Sequence, residues 1–263
     1  GLYGAGQICG TSGYEEAAGL GIMAGINAVL AIRGQAPLIL KRNEAYIAVM
    51  IDDLITKGAI EPYRLLSSRA EYRLLLRHDN ADLRLTEYGY QLGLIPEARY
   101  QSFLQKNESL NRVLSILRKT YLGANKKVNE YLRKIGCTPL KGGTLAYDLL
   151  KRPDVAYSTM IELIPKLIFH PLDETGIMQL EIMVKYEGYI AKQEKEAKSF
   201  AKFESLLLRE DLDYLHIDGL ALEARQKLQK IRPRTIGQAS RVGGVNPSDI
   251  SVLVLTLKRR GLL

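Results

Sequence analysis

Cysteine and histidine are scarce in this chain. It has two cysteines, Cys9 and Cys137, and three histidines, His78, His170 and His216, none with further ligands at metal-binding spacing. That excludes a disulfide framework and a zinc site, and no metal is assigned. The Gly-x-Ser-x-Gly elbow of a serine nucleophile is absent, so no catalytic residue is assigned either. No stretch reaches about 18 consecutive apolar residues, and no basic segment followed by an apolar one opens the chain. The expectation is a soluble cytoplasmic protein with no membrane partner. Internal repeats and low-complexity tracts are also missing.

What is present is a chain of 263 residues, 46% of them hydrophobic, long enough for two compact units. Lys and Arg outnumber Asp and Glu by 37 to 29, a formal charge of +8 that favours a polyanionic partner, or equally a solvated basic surface. Residues 1–34 are dense in Gly and Ala and begin inside a glycine-rich run that resembles the middle of a domain, so a fragment is expected. Beyond Gly34–Pro37 the sequence is charged and helical in period. Ile47, Met50, Ile51, Leu54 and Ile55 follow i, i+3, i+4 spacing between Asn43 as cap and Gly58 as stop. Pro96 opens a long helix through Leu117, and Val128–Ile135 forms another before Gly136. A helical strut over Asp173–Leu208 has its weak point at Gly188. Three terminal helices fall at 220–231, 235–242 and 247–260. The class is mainly α, divided as 1–34, 35–205 and 206–263, with strands confined to short candidates near the start.

Two segments carry chemistry. The first, from Gly1 to Ala18, reads as a short strand, a glycine loop and a helix. Unpaired N–H groups at a helix start attract anions, and glycines let backbone approach a cofactor. Gly6, Gln7, Thr11 and Gly13 are the candidate cofactor contacts. A tight packing turn explains the same glycines, since the complete Gly-x-Gly-x-x-Gly spacing is lacking. The second segment runs from Ser67 to Thr86. Ser68 and Glu71 have capping-box spacing, and a helix starting there places Arg69, Arg73 and Arg77 on one face, flanked by Arg64 and Arg84. Such a stripe suits phosphates, with Tyr63 and Tyr72 as stacking surfaces for bases. Its alternative is internal pairing with Glu71, Asp79 and Asp82.

The tail from Ile231 to Ile250 has the form of a helix-turn-helix, with Thr235 as cap and Gly243-Gly244 in the turn. Its second helix is apolar at Ile250, Val252, Leu253 and Leu257, which favours burial or a protein contact over base readout.

The run from Gly6 to Ala18 closely resembles the late FAD-contacting segment of the MnmG family, also called GidA. The run from Ser67 to Thr86, Tyr186–Ile190, Asn43–Tyr46 and Ile51–Leu54 resemble the same family in the same order. The resemblance implies a helical C-terminal region attached to a short strand-loop-helix remnant of an α/β, Rossmann-like FAD-binding domain. It further implies an enzyme parent that uses FAD and NADH and, with the GTPase MnmE, modifies C5 of the wobble uridine of tRNA. Arg64, Arg69, Arg73, Arg77 and Arg84 would hold tRNA, and the terminal unit would bind tRNA and dock MnmE, in a homodimer. The fragment alone is expected to be inactive. Cys9 and His78 depart from the family pattern, where Asn and an acidic residue are expected. The competing readings are a basic helical nucleic-acid adaptor and a dimerisation scaffold of a flavoprotein.

Overall fold

The computed structural model describes residues 1–58 and 61–262. Its helices are α1 (Tyr14–Ile32), α2 (Tyr46–Thr56), α3 (Ala81–Gln91), α4 (Glu97–Lys119), α5 (Lys126–Lys134), α6 (Ala146–Leu150), α7 (Tyr157–Leu163), α8 (Glu174–Lys185), α9 (Glu187–Glu204), α10 (Leu222–Ile231), α11 (Ile236–Arg241) and α12 (Pro247–Arg259). Strands β1 (Tyr121–Leu122) and β2 (Thr144–Leu145) form an antiparallel pair with Tyr121 opposite Leu145. The expected strand near the start is replaced by a 3-10 turn at Gly6–Cys9, in which Gly6 and Gly10 take positive φ, a backbone open to glycine and closed to extended pairing. Contacts divide the chain into one unit of Gly1–Leu76 with Gln193–Leu263 and another of Arg77–Lys192.

The second unit is built on α4. Leu110, Val113, Leu114 and Leu117 recur at i, i+3, i+4 and i+7 and bury one stripe. Against it pack Val128 and Leu132 of α5, Leu149 and Leu150 of α6, Met160 of α7, and Leu180 and Val184 of α8. The caps follow the expected chemistry: Asn125 accepts from the Val128 N–H, Asp173 from the Gly176 N–H, and Gly136 leaves α5 at positive φ. Gln179 is fully buried and donates to the Asp79 carbonyl and, at 3.0 Å, to Asp82 Oδ1, tying α8 to the start of α3. The expected strut is two helices that break at Tyr186, two residues before Gly188.

In the first unit, Tyr214, Ile217, Leu228, Ile236, Leu253 and Leu257 form the core of the three-helix end of the chain. Asp249 holds this bundle together: its carboxylate accepts from the Asn246 N–H in a capping box and from the Ala221 N–H, both at 2.9 Å. Elsewhere in the unit, α1 is long and apolar enough to cross a membrane by those measures, with mean hydropathy 1.4 over its most apolar window. It packs as a core helix along one face, where Gly19 lies against Ile47 and Met50.

Two local expectations are overturned. Helix α2 begins at Tyr46 after Ala45, not at an Asn43 cap; Met50 of the expected stripe is buried with Ile47, Ile51 and Leu54 packed around it, whereas Ile55 is exposed and Asp52, Asp53 and Thr56 are buried. The two carboxylates are buried beside this apolar stripe because a buried arginine meets them. Residues 62–80 form no helix at all: Tyr72 has φ +49, and the segment is a chain of turns. A β-carbon in the left-handed region costs about 1 kcal/mol or more and ends any helix there.

Truncating Leu117, which is fully buried in the α4 stripe, is expected to cost about 2–5 kcal/mol. Urea unfolding of Leu117→Ala followed by far-UV circular dichroism measures it.

Candidate functional site

The glycine run and the arginine run, far apart in sequence, meet in the first unit. The Tyr63 N–H donates to the Gly10 carbonyl at 2.7 Å. Glu16, in the first turn of α1, accepts from the Leu65 N–H at 2.9 Å and pairs with Arg64 at 3.4 Å. The Leu65 amide, ahead of the Arg64 charge, holds the Glu16 carboxyl below its ordinary range despite burial. Gly13, the cap of α1, is dictated by this contact, since a β-carbon there would fall 1.9 Å from Glu16 Oε2 and 3.0 Å from Arg64 Nε.

The cofactor candidates divide by what their atoms already do. Thr11 is fully buried and its hydroxyl donates to the Gly6 carbonyl at 3.0 Å, closing the turn. Gly6 faces open space, with nothing within 4 Å of where a β-carbon would stand, and Gln7 is exposed. Gly13 gives α1 no side-chain cap, although the Glu16 carboxylate meets its own amide within the first turn. A backbone turn beside a helix start is an arrangement able to receive an anionic group.

Arginine placement follows the same accounting. Arg64 is more than half exposed, Arg69 lies 4.7 Å over the Tyr63 ring, and Arg73 is exposed. Arg77 and Arg84 belong to the other unit. Arg77 is largely buried and chelates Asp79, at 2.9 Å from Nε and from Nη2, the internal pairing that was the alternative. Arg84 donates to Asn80 and to the Arg77 carbonyl, both at 3.0 Å. These bonds brace the turn leading into α3. Tyr63 is buried, with its hydroxyl on Asp53 at 3.1 Å, and so offers no exposed ring.

The residues that hold the arginine segment in place are ones the sequence did not single out. Arg42, only 9% exposed, donates through Nη1 to Asp52 at 2.8 Å, Asp53 at 3.0 Å and the Val49 carbonyl at 3.2 Å. Its other edge grips Glu71 at 2.9 and 2.5 Å. Asp52 also accepts from Arg241 Nε at 2.6 Å and from Gln238 at 3.2 Å, while Arg241 binds Glu204 through Nη1. Burial works against the charge of Asp53, but Lys57 and Arg42 outweigh it and hold its carboxyl below the usual range. Farther along, Gln193 accepts from the N–H groups of Leu74 and Leu75 at 3.0 and 3.2 Å. The one sequence signal for this network was the Asp52-Asp53 pair inside an otherwise apolar helix.

Three family models match the chain in order. Residues 1–36 match "Glucose inhibited division protein A", residues 97–194 the "tRNA modifying enzyme MnmG/GidA C-terminal helical domain", and residues 196–262 the "tRNA modifying enzyme MnmG/GidA C-terminal helical bundle". Curated relatives named tRNA uridine 5-carboxymethylaminomethyl modification enzyme MnmG include those of Exiguobacterium sibiricum, 54% identical over 98% of the chain, and Enterococcus faecalis, 53% identical over 98%. The chain spans 41% of the length of each. A crystal structure of Aquifex aeolicus GidA superposes with a TM-score of 0.79 at 38% identity, covering 96% of this chain and 39% of that one.

Arg42→Leu is expected to lower stability by about 3–5 kcal/mol, because it strands buried carboxylates without their counter-charge. The acid limb of stability tests the sign. A carboxyl lowered from its ordinary 3.8 contributes above that value, and the contribution is lost as pH falls through the folded value. Asp53→Asn therefore flattens the loss of melting temperature below about pH 4, as read by thermal unfolding across pH.

Proposed function

The chain belongs to the MnmG/GidA family, and from that premise we propose that it is the tRNA-binding and partner-docking portion of a flavin-dependent tRNA-modifying enzyme. The observation that carries the reading is the junction of Gly10 and Glu16 with Tyr63, Arg64 and Leu65, which sets an open backbone cradle beside exposed arginines in one unit. A cofactor edge and a polyanion contact at the same place suit an enzyme that brings a nucleic-acid base to a flavin.

In this proposal the complete protein, with MnmE, installs a carboxymethylaminomethyl or aminomethyl group on C5 of the wobble uridine of tRNA. FAD, reduced by NADH, supplies the redox chemistry when bound. This chain's share is binding. Gly6, Gln7 and Gly13 border the cofactor and Thr11 fixes the turn that presents them. Arg64, Arg69 and Arg73 face the tRNA backbone, and Arg77 and Arg84 shape the turn that precedes α3. The division into 1–34 as cofactor remnant, 35–205 as tRNA-binding region and 206–263 as docking unit for MnmE and tRNA follows the same assignment. Exposed Ile22, Val29 and Ile32 of α1 are apolar surface suited to packing by other parts of such a parent, which acts as a cytoplasmic homodimer.

Binding of the chain to a wobble-uridine tRNA transcript and to a duplex DNA of equal length, across salt, tests this reading. Arg69→Ala/Arg73→Ala is expected to weaken tRNA binding about tenfold and to make the salt dependence shallower by one to two phosphate equivalents, about 0.7–0.9 each. Equal affinity for tRNA and DNA, with no effect of the variant, would overturn it. By contrast Arg77→Ala, which frees Asp79, is expected to show first as a lower unfolding midpoint.

A further inference from the structure

The excess charge of the chain is concentrated in one stretch that is not the arginine run. Residues 112–152 hold ten basic side chains against two acidic ones, Glu130 and Asp148, an excess of eight that equals the formal charge of the whole protein; elsewhere the signs balance. The arginine run from Arg64 to Arg84 has five against three. Field rather than count alone matters for a polyanion, and the fold of the second unit gathers this charge.

Helix α5 turns Val128 and Leu132 into the core, which leaves Lys126, Lys127, Glu130, Arg133 and Lys134 on its outward face. The loop before β2 is fastened to this helix, because Asn129 accepts from the Leu140 N–H at 2.7 Å and donates to the Leu140 carbonyl at 3.1 Å. Lys141 is thereby held beside α5. Tyr121 is 66% exposed and lies against Gly143, where a β-carbon would come within 2.3 Å of the ring. Only glycine admits the tyrosine in that pose. Lys127 and Lys134 border one cleft with Tyr131, Glu130 and Glu162; Lys126 takes up Glu130, and among the described residues neither Lys127 and Lys134 nor Arg133 and Lys141 form an ion pair. Unpaired, exposed cations beside an aromatic ring are the elements that contact a nucleic-acid backbone and an unstacked base.

We infer that the outward face of α5, with Lys141 and Tyr121, is a second RNA-binding surface, separate from the arginine segment, and that it supplies most of the electrostatic affinity for tRNA. The inference rests on the tRNA-binding reading above and adds where the backbone is held.

The test uses the full chain, a wobble-uridine tRNA transcript and vesicles of phosphatidylglycerol, with salt titrations throughout. Lys127→Ala/Lys134→Ala/Lys141→Ala is compared with Lys166→Ala/Lys195→Ala/Lys198→Ala, which removes the same charge from exposed sites outside the stretch. The first variant is expected to lose at least tenfold in tRNA affinity and to lower the salt slope by about 2, while the second stays within twofold of the parent. Tyr121→Ala is expected to weaken binding severalfold, rescued by Tyr121→Phe. If the parent chain binds tRNA and the two triple variants behave alike, this surface is refuted and the tRNA reading stands. If the parent chain binds vesicles but not tRNA, the tRNA reading falls, and this inference with it.

Discussion

Arg42 is a guanidinium placed almost out of water, and every donor it has in reach must find an acceptor. Asp52, Asp53 and Glu71 supply the charge, and the Val49 carbonyl supplies a further acceptor. Through Asp52 the same network reaches Arg241, Gln238 and Glu204. Such a cluster gives little net stability over an apolar core of equal shape, because desolvating the ions offsets their attraction. Its effect is on specificity. A carboxylate at Asp52 that is half satisfied by Arg42 and half by Arg241 fixes the register between α2 and α11, since any slip leaves a buried charge alone. Glu71, held at the far edge of Arg42, pins the middle of the arginine segment to that frame.

The shape of the arginine segment follows from this anchoring. The Leu65 amide bonds to Glu16 and the Leu74 amide to Gln193, while the Leu75 amide is shared between Gln193 and the Tyr72 carbonyl. The chain accepts a left-handed Tyr72 to reach them. What results is a looped segment held by contacts at both ends, with Arg64, Arg69 and Arg73 left exposed.

The second unit solves a different problem. It carries the basic stretch of residues 112–152 without losing its core, by separating the two on α5. Val128 and Leu132 are buried on one side and the lysines stay solvated on the other, so no ammonium is desolvated in the free protein. Charge is thus borne in two ways, buried and paired around Arg42 and at Arg77 with Asp79, and solvated on the outward face of α5.

Most of the helices were legible in the sequence, because their signals lie within a turn or two of the residues concerned. Pro96 before α4, Gly136 after α5, Asp173 before α8 and Thr235 before α11 act through neighbours a few positions away. The family motifs were legible for the same reason, as contiguous runs. What only the tertiary structure decided were partnerships separated by 49, 119 and 189 positions: Glu16 with Leu65, Gln193 with Leu74, and Asp52 with Arg241. Those contacts turned a capping box at Ser68 into a loop and drew Asp52 and Asp53 inward beside the apolar stripe, leaving Ile55 exposed. Local propensity is worth tenths of a kcal/mol per residue, roughly, whereas an unpaired buried charge costs several, so where the two conflict the distant charge prevails.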